Sequence, residues 1–328
     1  MAVWAKPVSF SIVQHSHDNW PVAHTLEWPV LAERLARHDE ATEKDGVALI
    51  CATFTQPPRG KETLAERHLI GIDIEVSKKT GEVPPPPSMI AGYLAMKRLA
   101  AVMWTTFGHT PDMPRYRVVL PLDKPFRPLE VGRKVEKMMT QVAAANIQLN
   151  GRYDEGKLGG ESLFYLARHA PGTSVHWSTV IEGAPVGVDD LIGVSRMILI
   201  GVQMKQAQRD ALKKTSEFPA ELKALIEAYN DGHELADLFS QYGYMRMGDR
   251  WKSRYQDPRS TAATAIFPDH SGWYSWSDSD KSAGLGHIND DGIFGDAFSL
   301  YVHYEHGGNF RAAVAALREH YGAQGSPG

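Results

Sequence analysis

Two carboxylates spaced by two sit inside a run of β-branched residues, Gly71-Ile72-Asp73-Ile74-Glu75-Val76. Side chains alternate on a strand, so Asp73 and Glu75 share one face and Ile72, Ile74 and Val76 share the other. The apolar face can pack on helices. The acidic face then holds two like charges side by side in mid-strand, which is costly unless something neutralises them. Mg²⁺ or Mn²⁺ ions do so, because hard cations prefer carboxylate oxygens. The plain alternative is an edge strand with a solvated acidic face. A third acid, Asp154, stands in Arg152-Tyr153-Asp154-Glu155, just before a glycine-rich turn. Two-metal phosphoryl transfer needs one acid to bridge both ions and others to complete each shell. Asp154 is the candidate, with Glu155 and Glu161 nearby; on its own, a loop aspartate is usually a turn residue.

Cations suited to phosphate follow in two places. Thr105-Thr106-Phe107-Gly108-His109-Thr110 leads into Arg115-Tyr116-Arg117. Arg115 and Arg117 alternate in step and can point the same way, and guanidinium forks match phosphate oxygens. A turn histidine with solvated arginines is the bland alternative. Nearer the C-terminus, Arg246, Arg250, Lys252, Arg254 and Arg259 interleave with Trp251 and Tyr255. Arg250, Trp251, Lys252, Arg254 and Tyr255 are the candidate nucleic-acid contacts, by phosphate pairing plus base stacking on a single strand.

Strands and helices alternate around these residues. Leu31 and Leu35 are one helical turn apart after Pro29, and Val47 to Phe54 is a short β-type run. Four prolines, Pro84 to Pro87, are expected to form a stiff spacer or loop, with Ser88 capping a helix over Met89 to Val102. Tyr116 to Leu122 reads as a strand, Pro128 to Ala145 as a helix, and Leu163 to Ala167 as a further strand. No glycine fingerprint of a parallel nucleotide-binding sheet occurs, so an α+β fold with a mixed or antiparallel sheet is expected. Composition shifts after about residue 195 to a polar, helical connector over 196–218 bearing Lys205, Arg209, Lys213 and Lys214. Beyond it, helices are expected over Ala220 to Tyr229 and Glu234 to Tyr242, short strands at Thr264 to Phe267 and Tyr274 to Ser277, and two closing helices, Asp296 to His306 and Asn309 to Tyr321. The small, polar tail 323–328 is expected to be disordered.

The chain's totals bound the rest. At 328 residues it has room for one large domain, or for one medium and one small domain, each with its own core. Its single cysteine, Cys51, permits neither an intrachain disulfide nor a cysteine zinc cluster, and in Val47-Ala48-Leu49-Ile50-Cys51 it reads as a buried apolar residue. The formal net charge of −4 weighs against a protein that coats DNA non-specifically, though local patches can still steer phosphates. No membrane span and no secretory leader are evident, so a cytoplasmic protein is expected. There is no phosphate-binding loop, so a helicase motor would have to come from another chain. His15-Ser16-His17 departs from the paired histidines of rolling-circle nucleases in having a serine between them.

The order of these pieces resembles the archaeo-eukaryotic primase superfamily, in its phage and plasmid branch. The resemblance rests on the acid pair, the histidine turn followed by Arg-Tyr-Arg-Val-Val-Leu-Pro-Leu, and the aspartate before Leu163-Phe164-Tyr165-Leu166, with Trp28 and Lys44-Asp45-Gly46 upstream. It covers roughly residues 20 to 175. It implies an RRM-like catalytic sheet over 1–195 and a smaller, mostly helical α+β accessory domain over 219–322. It also implies Asp73, Glu75 and Asp154 as metal ligands and His109 at the incoming nucleotide. Glu75 departs from the more usual second aspartate. The implied activity is primer or DNA synthesis from nucleoside triphosphates on a single-stranded DNA template, with Mg²⁺ or Mn²⁺ and a separate replicative helicase as partner. A replication initiator that binds origin DNA without catalysis, and a metal-dependent nuclease, are the competing readings.

Overall fold

The computed structural model describes residues 4–216, 218–289 and 292–322; the tail 323–328 and connector residue 217 lie outside these. The chain divides into two compact units, 1–199 and 200–328.

The first unit contains β1 (Pro7–Val13), β2 (Val22–Glu27), α1 (Trp28–Leu35), β3 (Asp39–Glu40), β4 (Ala48–Ile50), β5 (Arg67–Ile74), α2 (Pro87–Met96), β6 (Ala101–Thr105), β7 (Tyr116–Phe126), α3 (Pro128–Val131), α4 (Arg133–Asn146), β8 (Leu163–Tyr165), β9 (Arg168–His169) and β10 (Ser178–Ile181). Two four-stranded antiparallel sheets form, in the orders β2-β1-β4-β8 and β10-β6-β7-β5, and β3 pairs with β9 in parallel. The β10-β6-β7-β5 sheet is covered on both faces. Ile70, Ile72 and Ile74 pack with Tyr116, Val118 and Leu120 against Ile90 and Leu94 of α2 and Met139 and Ala143 of α4. The opposite face packs Leu69, Val102, Trp104 and Val119 against Val8, Phe10, Leu49 and Phe164 of the other sheet and against Trp28, Leu31 and Leu35 of α1. This explains why His68 to Ile74 is apolar almost throughout: a strand buried on two faces loses the alternation of a half-exposed one.

Gly71 permits that double burial. A Cβ built there would stand 2.7 Å from the Phe164 ring and 2.9 Å from Cys51 Sγ. Cys51 is fully buried, and burial pushes its thiol up to about 12. The prolines before α2 do not all stay outside regular structure. Pro87 opens the helix, where a missing N–H costs no hydrogen bond, and Tyr116 Oη donates 2.8 Å to the Pro85 carbonyl.

α5 (Val188–Ser216) is one 29-residue helix across the stretch expected to be a connector, and the boundary between the units falls within it. Its first turns contribute Val188 and Leu191 to the first unit's core, while Met204 and Ala207 pack with Phe267, Tyr274 and Phe294 of the second.

The second unit comprises α6 (Ala220–Asp231), α7 (Leu235–Gln241), β11 (Met245–Met247), β12 (Arg250–Lys252), β13 (Thr264–Ile266), β14 (Trp273–Ser275), α8 (Asp278–Ser282), β15 (His287–Asn289), β16 (Gly292–Gly295), α9 (Ala297–His306) and α10 (Phe310–Gly322). Its six strands form one antiparallel sheet, β11-β12-β13-β14-β16-β15. Its strands are only three or four residues long, and helices supply more of its described residues than strands do. Asp296 caps α9 by accepting from Ser299 N at 2.8 Å, and Gly307 ends it in the left-handed region at φ 58°.

Candidate active site

β5 ends at Ile74, so Asp73 is the strand's penultimate residue and Glu75 lies just beyond it. Both still line one small cleft, of about 100 Å³, together with Lys44, Thr106, Phe107, Gly108, Arg115 and Arg117. Antiparallel pairing sets Asp73 directly opposite Arg117, which itself faces Trp104 on β6. Arg115 and Arg117 both reach this cleft, while Tyr116 between them points into the helical layer.

The acids are not bare. Asp73 is 9 % exposed and Arg117 2 %. Arg117 Nε lies 3.2 Å from one Asp73 oxygen, and the Lys157 ammonium contacts the other. Burial raises the Asp73 carboxyl; Arg117 and Lys157 outweigh it and hold the group below the usual carboxylate range. Arg117 also donates 2.7 Å to the Tyr165 carbonyl, which fixes its guanidinium. The like-charge crowding expected between Asp73 and Glu75 is therefore relieved by cations of the chain itself.

Glu75 and Asp154 share a different cation. Lys78 Nζ stands 3.2 Å from Glu75 Oε1 and 3.3 Å from Asp154 Oδ1. That same Oε1 is buried without a hydrogen bond of proper geometry. Asp154 is tied to the end of β5, since its N–H donates 2.8 Å to the Asp73 carbonyl, and its side chain caps a short 3₁₀ turn by accepting from Gly156 N. Lys157 sits on that turn. The loop is anchored by the buried Arg67–Glu136 pair at 2.8 Å, with Gly160 N donating to Glu136 at 2.6 Å.

Among the described residues, no group of three or more His, Cys, Asp or Glu is arranged to hold a metal ion. The donor chemistry nonetheless fits a hard divalent cation at one place. Glu75 and Asp154 already hold one positive charge between them, and the Lys78 side chain is 75 % exposed, so its ion pairs are weak and displaceable. Asp73, by contrast, is committed to Arg117 and Lys157.

His109 is not among the cleft-lining residues. It closes a turn by donating its N–H to Thr106 O at 3.0 Å, and its Nδ1 accepts from Arg115 N at 3.1 Å. Burial depresses the imidazole below its ordinary value. A neutral ring that accepts at Nδ1 carries its proton on Nε2.

Lys44 reaches the cleft because Asp45 is held by Ser16, whose N–H and Oγ donate at 2.9 and 2.8 Å, and because Arg168 donates to the Asp45 carbonyl at 2.6 Å. The serine between His15 and His17 thus has a structural task. Lys78 and Lys157 went unmarked in the sequence. Their only signal was a lysine three residues after Glu75 and another inside the glycine-rich turn.

The second unit presents its cations on aromatic rings. Arg250 lies 5.4 Å from the Trp276 ring centre, Arg254 4.7 Å from Tyr304, and Arg246 5.7 Å from Trp251. Two residues expected at the nucleic acid are instead buried. Trp251 packs against Phe239 in the core, and the Lys252 ammonium donates to the Pro258 and Ser260 carbonyls at 2.6 and 2.8 Å. Strand alternation on β12 turns Trp251 inward while Arg250 stays partly exposed. Tyr255 is half-buried with its hydroxyl 3.0 Å from His303 Nε2.

No family model matches the sequence, and no curated protein or solved structure matches it. Among the described residues no helix is long and apolar enough to cross a membrane.

Proposed function

We propose that the first unit is a template-directed nucleotidyltransferase, a primase or primase-polymerase that joins nucleoside triphosphates on single-stranded DNA. The observation that carries this reading is the single cleft in which Asp73 and Glu75 stand beside Lys44, Arg115 and Arg117. Phosphoryl transfer asks for that combination: acids for a divalent ion, and guanidinium and ammonium groups for phosphate oxygens.

The fold supports the same reading at the level of topology. Apart from the one-turn α3 that precedes α4, β5-α2-β6-β7-α4 is a β-α-β-β-α succession, five of the six elements of an RRM-like unit. The sheet's fourth strand, β10, pairs with β6, at the edge opposite β5. This placement departs from the simple unit, in which the last strand lies beside the first.

Glu75 and Asp154 would hold Mg²⁺ or Mn²⁺, with Asp73 completing the shell if Lys157 withdraws. Such an ion supplies polarisation of a phosphoryl oxygen. Arg115 and Lys44 bind the phosphates across the cleft, while Arg117, held by Asp73 and Tyr165, keeps the cleft wall in place. His109 presents Nε2–H as a neutral donor to a phosphate oxygen.

Incubation with single-stranded DNA, labelled triphosphates and Mg²⁺ or Mn²⁺, read on a sequencing gel, tests the proposal. A metal-dependent ladder is expected, lost in Glu75→Gln and Asp154→Asn. Binding without incorporation would favour the non-catalytic initiator, and cleavage without triphosphates would favour the nuclease.

A further inference from the structure

Three histidines from distant parts of the sequence meet in the first unit, away from the cleft acids. His38 follows α1, His169 ends β9, and His176 precedes β10. The ring centres of His38 and His176 are 5.1 Å apart, those of His38 and His169 6.0 Å, and those of His169 and His176 4.0 Å. The parallel pairing of β3 with β9 brings the first two together, since Glu40 stands opposite His169.

The hydrogen bonds of two rings leave a nitrogen free on each. His38 Nε2 lies 3.2 Å from the Trp177 carbonyl, and His169 Nδ1 3.1 Å from the Ala170 carbonyl. A ring nitrogen bonded to a carbonyl must carry the proton, so the other nitrogen of each neutral ring holds a lone pair. On His38 that other nitrogen, Nδ1, is buried and has no hydrogen-bond partner. An imidazole with one N–H on a backbone carbonyl and its second nitrogen unclaimed is the arrangement found in metal-bound histidines.

We propose that His38, His169 and His176 form a binding site for a borderline divalent transition metal, Zn²⁺ above all, distinct from the carboxylate cleft. Imidazole nitrogen suits Zn²⁺ and neighbouring transition ions and does not suit Mg²⁺. With Zn–N of about 2.0–2.1 Å the ion lies about 3.2 Å from each ring centre, so tetrahedral geometry sets neighbouring rings about 5 Å apart. The His38–His176 and His38–His169 separations are near that value. The His169–His176 pair is stacked at an interplanar angle of 6° and must open by about 1 Å. Among the described residues no three-ligand group stands ready-made, and opening this stacked pair is the change that the site requires. His176 is exposed, on a loop containing Gly172 at φ 73°, and its ring can swing outward by side-chain rotation. Three histidines leave a fourth position for water.

The bound ion would tie α1 and β3 to the loop before β10. That loop meets the strand beside the cleft wall at Thr105: the Trp177 carbonyl that faces His38 also accepts from Thr105 N at 2.9 Å, and Trp177 N donates to Thr105 Oγ1 at 2.9 Å, next to the cleft residue Thr106. The site's task is therefore to brace, and nothing in it depends on what the cleft does.

The test uses the full chain without a histidine tag, titrated with Zn²⁺ by calorimetry and with Co²⁺ by visible absorption. One Zn²⁺ per chain is expected, with the intense absorption of tetrahedral Co²⁺. His169→Gln and His176→Gln should each weaken binding at least tenfold, and the exposed His176 keeps the second variant folded. Glu75→Gln and the double change His15→Gln/His17→Gln should leave affinity unchanged. Absence of Zn²⁺ binding, equal affinity in the His169 and His176 variants, or a loss confined to Glu75→Gln would overturn the proposal. Incorporation of nucleotides is not among the readouts, so failure of the polymerase reading leaves this result standing.

Discussion

Asp73, Glu75 and Asp154 have the same charge and very different surroundings, and stability should separate them. Removing the Asp73 carboxylate leaves Arg117, buried at 2 % exposure, without its counter-ion. Breaking a buried pair from one side costs about 3–5 kcal/mol. Asp73→Ala should therefore lower the urea midpoint strongly, although a crowded acid on its own would have been a candidate for stabilisation on removal. Glu75→Ala removes an ion pair to the exposed Lys78 and should cost less than about 1 kcal/mol, while Asp154→Ala also loses its cap on Gly156 N and should cost about 1–2 kcal/mol, still below Asp73→Ala. Equal destabilisation by all three would contradict the asymmetry. A second expectation concerns His109. Burial depresses its folded-state pKa, so the unfolded chain binds the proton more tightly. Its contribution to stability is complete above the unfolded value of about 6.5 and is lost as pH falls through the lower folded value. An NMR titration should place the His109 midpoint below 6.5, and His109→Gln should remove one pH-dependent component of unfolding below that pH. A midpoint at or above 6.5 would show a ring that is charged or solvated instead.

Elements turn these residues into a cleft, and β5 shows how tightly they are drawn. Gly71→Ala would set a methyl 2.7 Å from Phe164 and 2.9 Å from Cys51 Sγ, both in the layer between the sheets. Overpacking of this kind costs about 1–3 kcal/mol. Denaturant unfolding of Gly71→Ala should show it, with a partial rescue by Phe164→Leu, which vacates the space; absence of any rescue would place the strain elsewhere. The same strand marks where the sequence was legible. The apolar run around Asp73 announced a strand, and the alternation of Arg115 and Arg117 announced a shared direction, because local pattern decides both. The two closing helices and strands β13 and β14 were visible for the same reason. The hairpin of β1 and β2 was not seen, since its second strand, Val22–Glu27, is largely exposed and carries no apolar face. β11, β12, β15 and β16, short like β13 and β14 but carrying charge, histidine or glycine where those carry buried apolar residues, owe their place to sheet partners and were missed. Lys78 and Lys157 could not be assigned to the acids from sequence, because their pairing depends on the loop that Glu136 anchors.

At the scale of the whole chain, each unit has its own core. The buried clusters of the first unit draw on residues up to Leu191, and those of the second on residues from Ala207 onward. A chain ending after Leu199 keeps every residue of the cleft and the α5 turns that pack on α4's layer, so it should fold and retain the nucleotide chemistry proposed for it. What it loses is the set of arginines laid on aromatic rings, Arg246, Arg250 and Arg254. If each pairs with one phosphate of a single strand, their loss should reduce the slope of log affinity against log salt by about 2, at ~0.7 per contact. Extension of a pre-annealed primer should survive at lower efficiency. Unprimed initiation should fall further, because template and two free nucleotides must be held with no duplex to help. The triple change Arg246→Ala/Arg250→Ala/Arg254→Ala in the full chain should reproduce the salt effect without removing a core residue, since these side chains lie on the rings rather than beneath them. A truncated chain that binds with the full slope would move template recognition into the first unit and leave the second with a different partner.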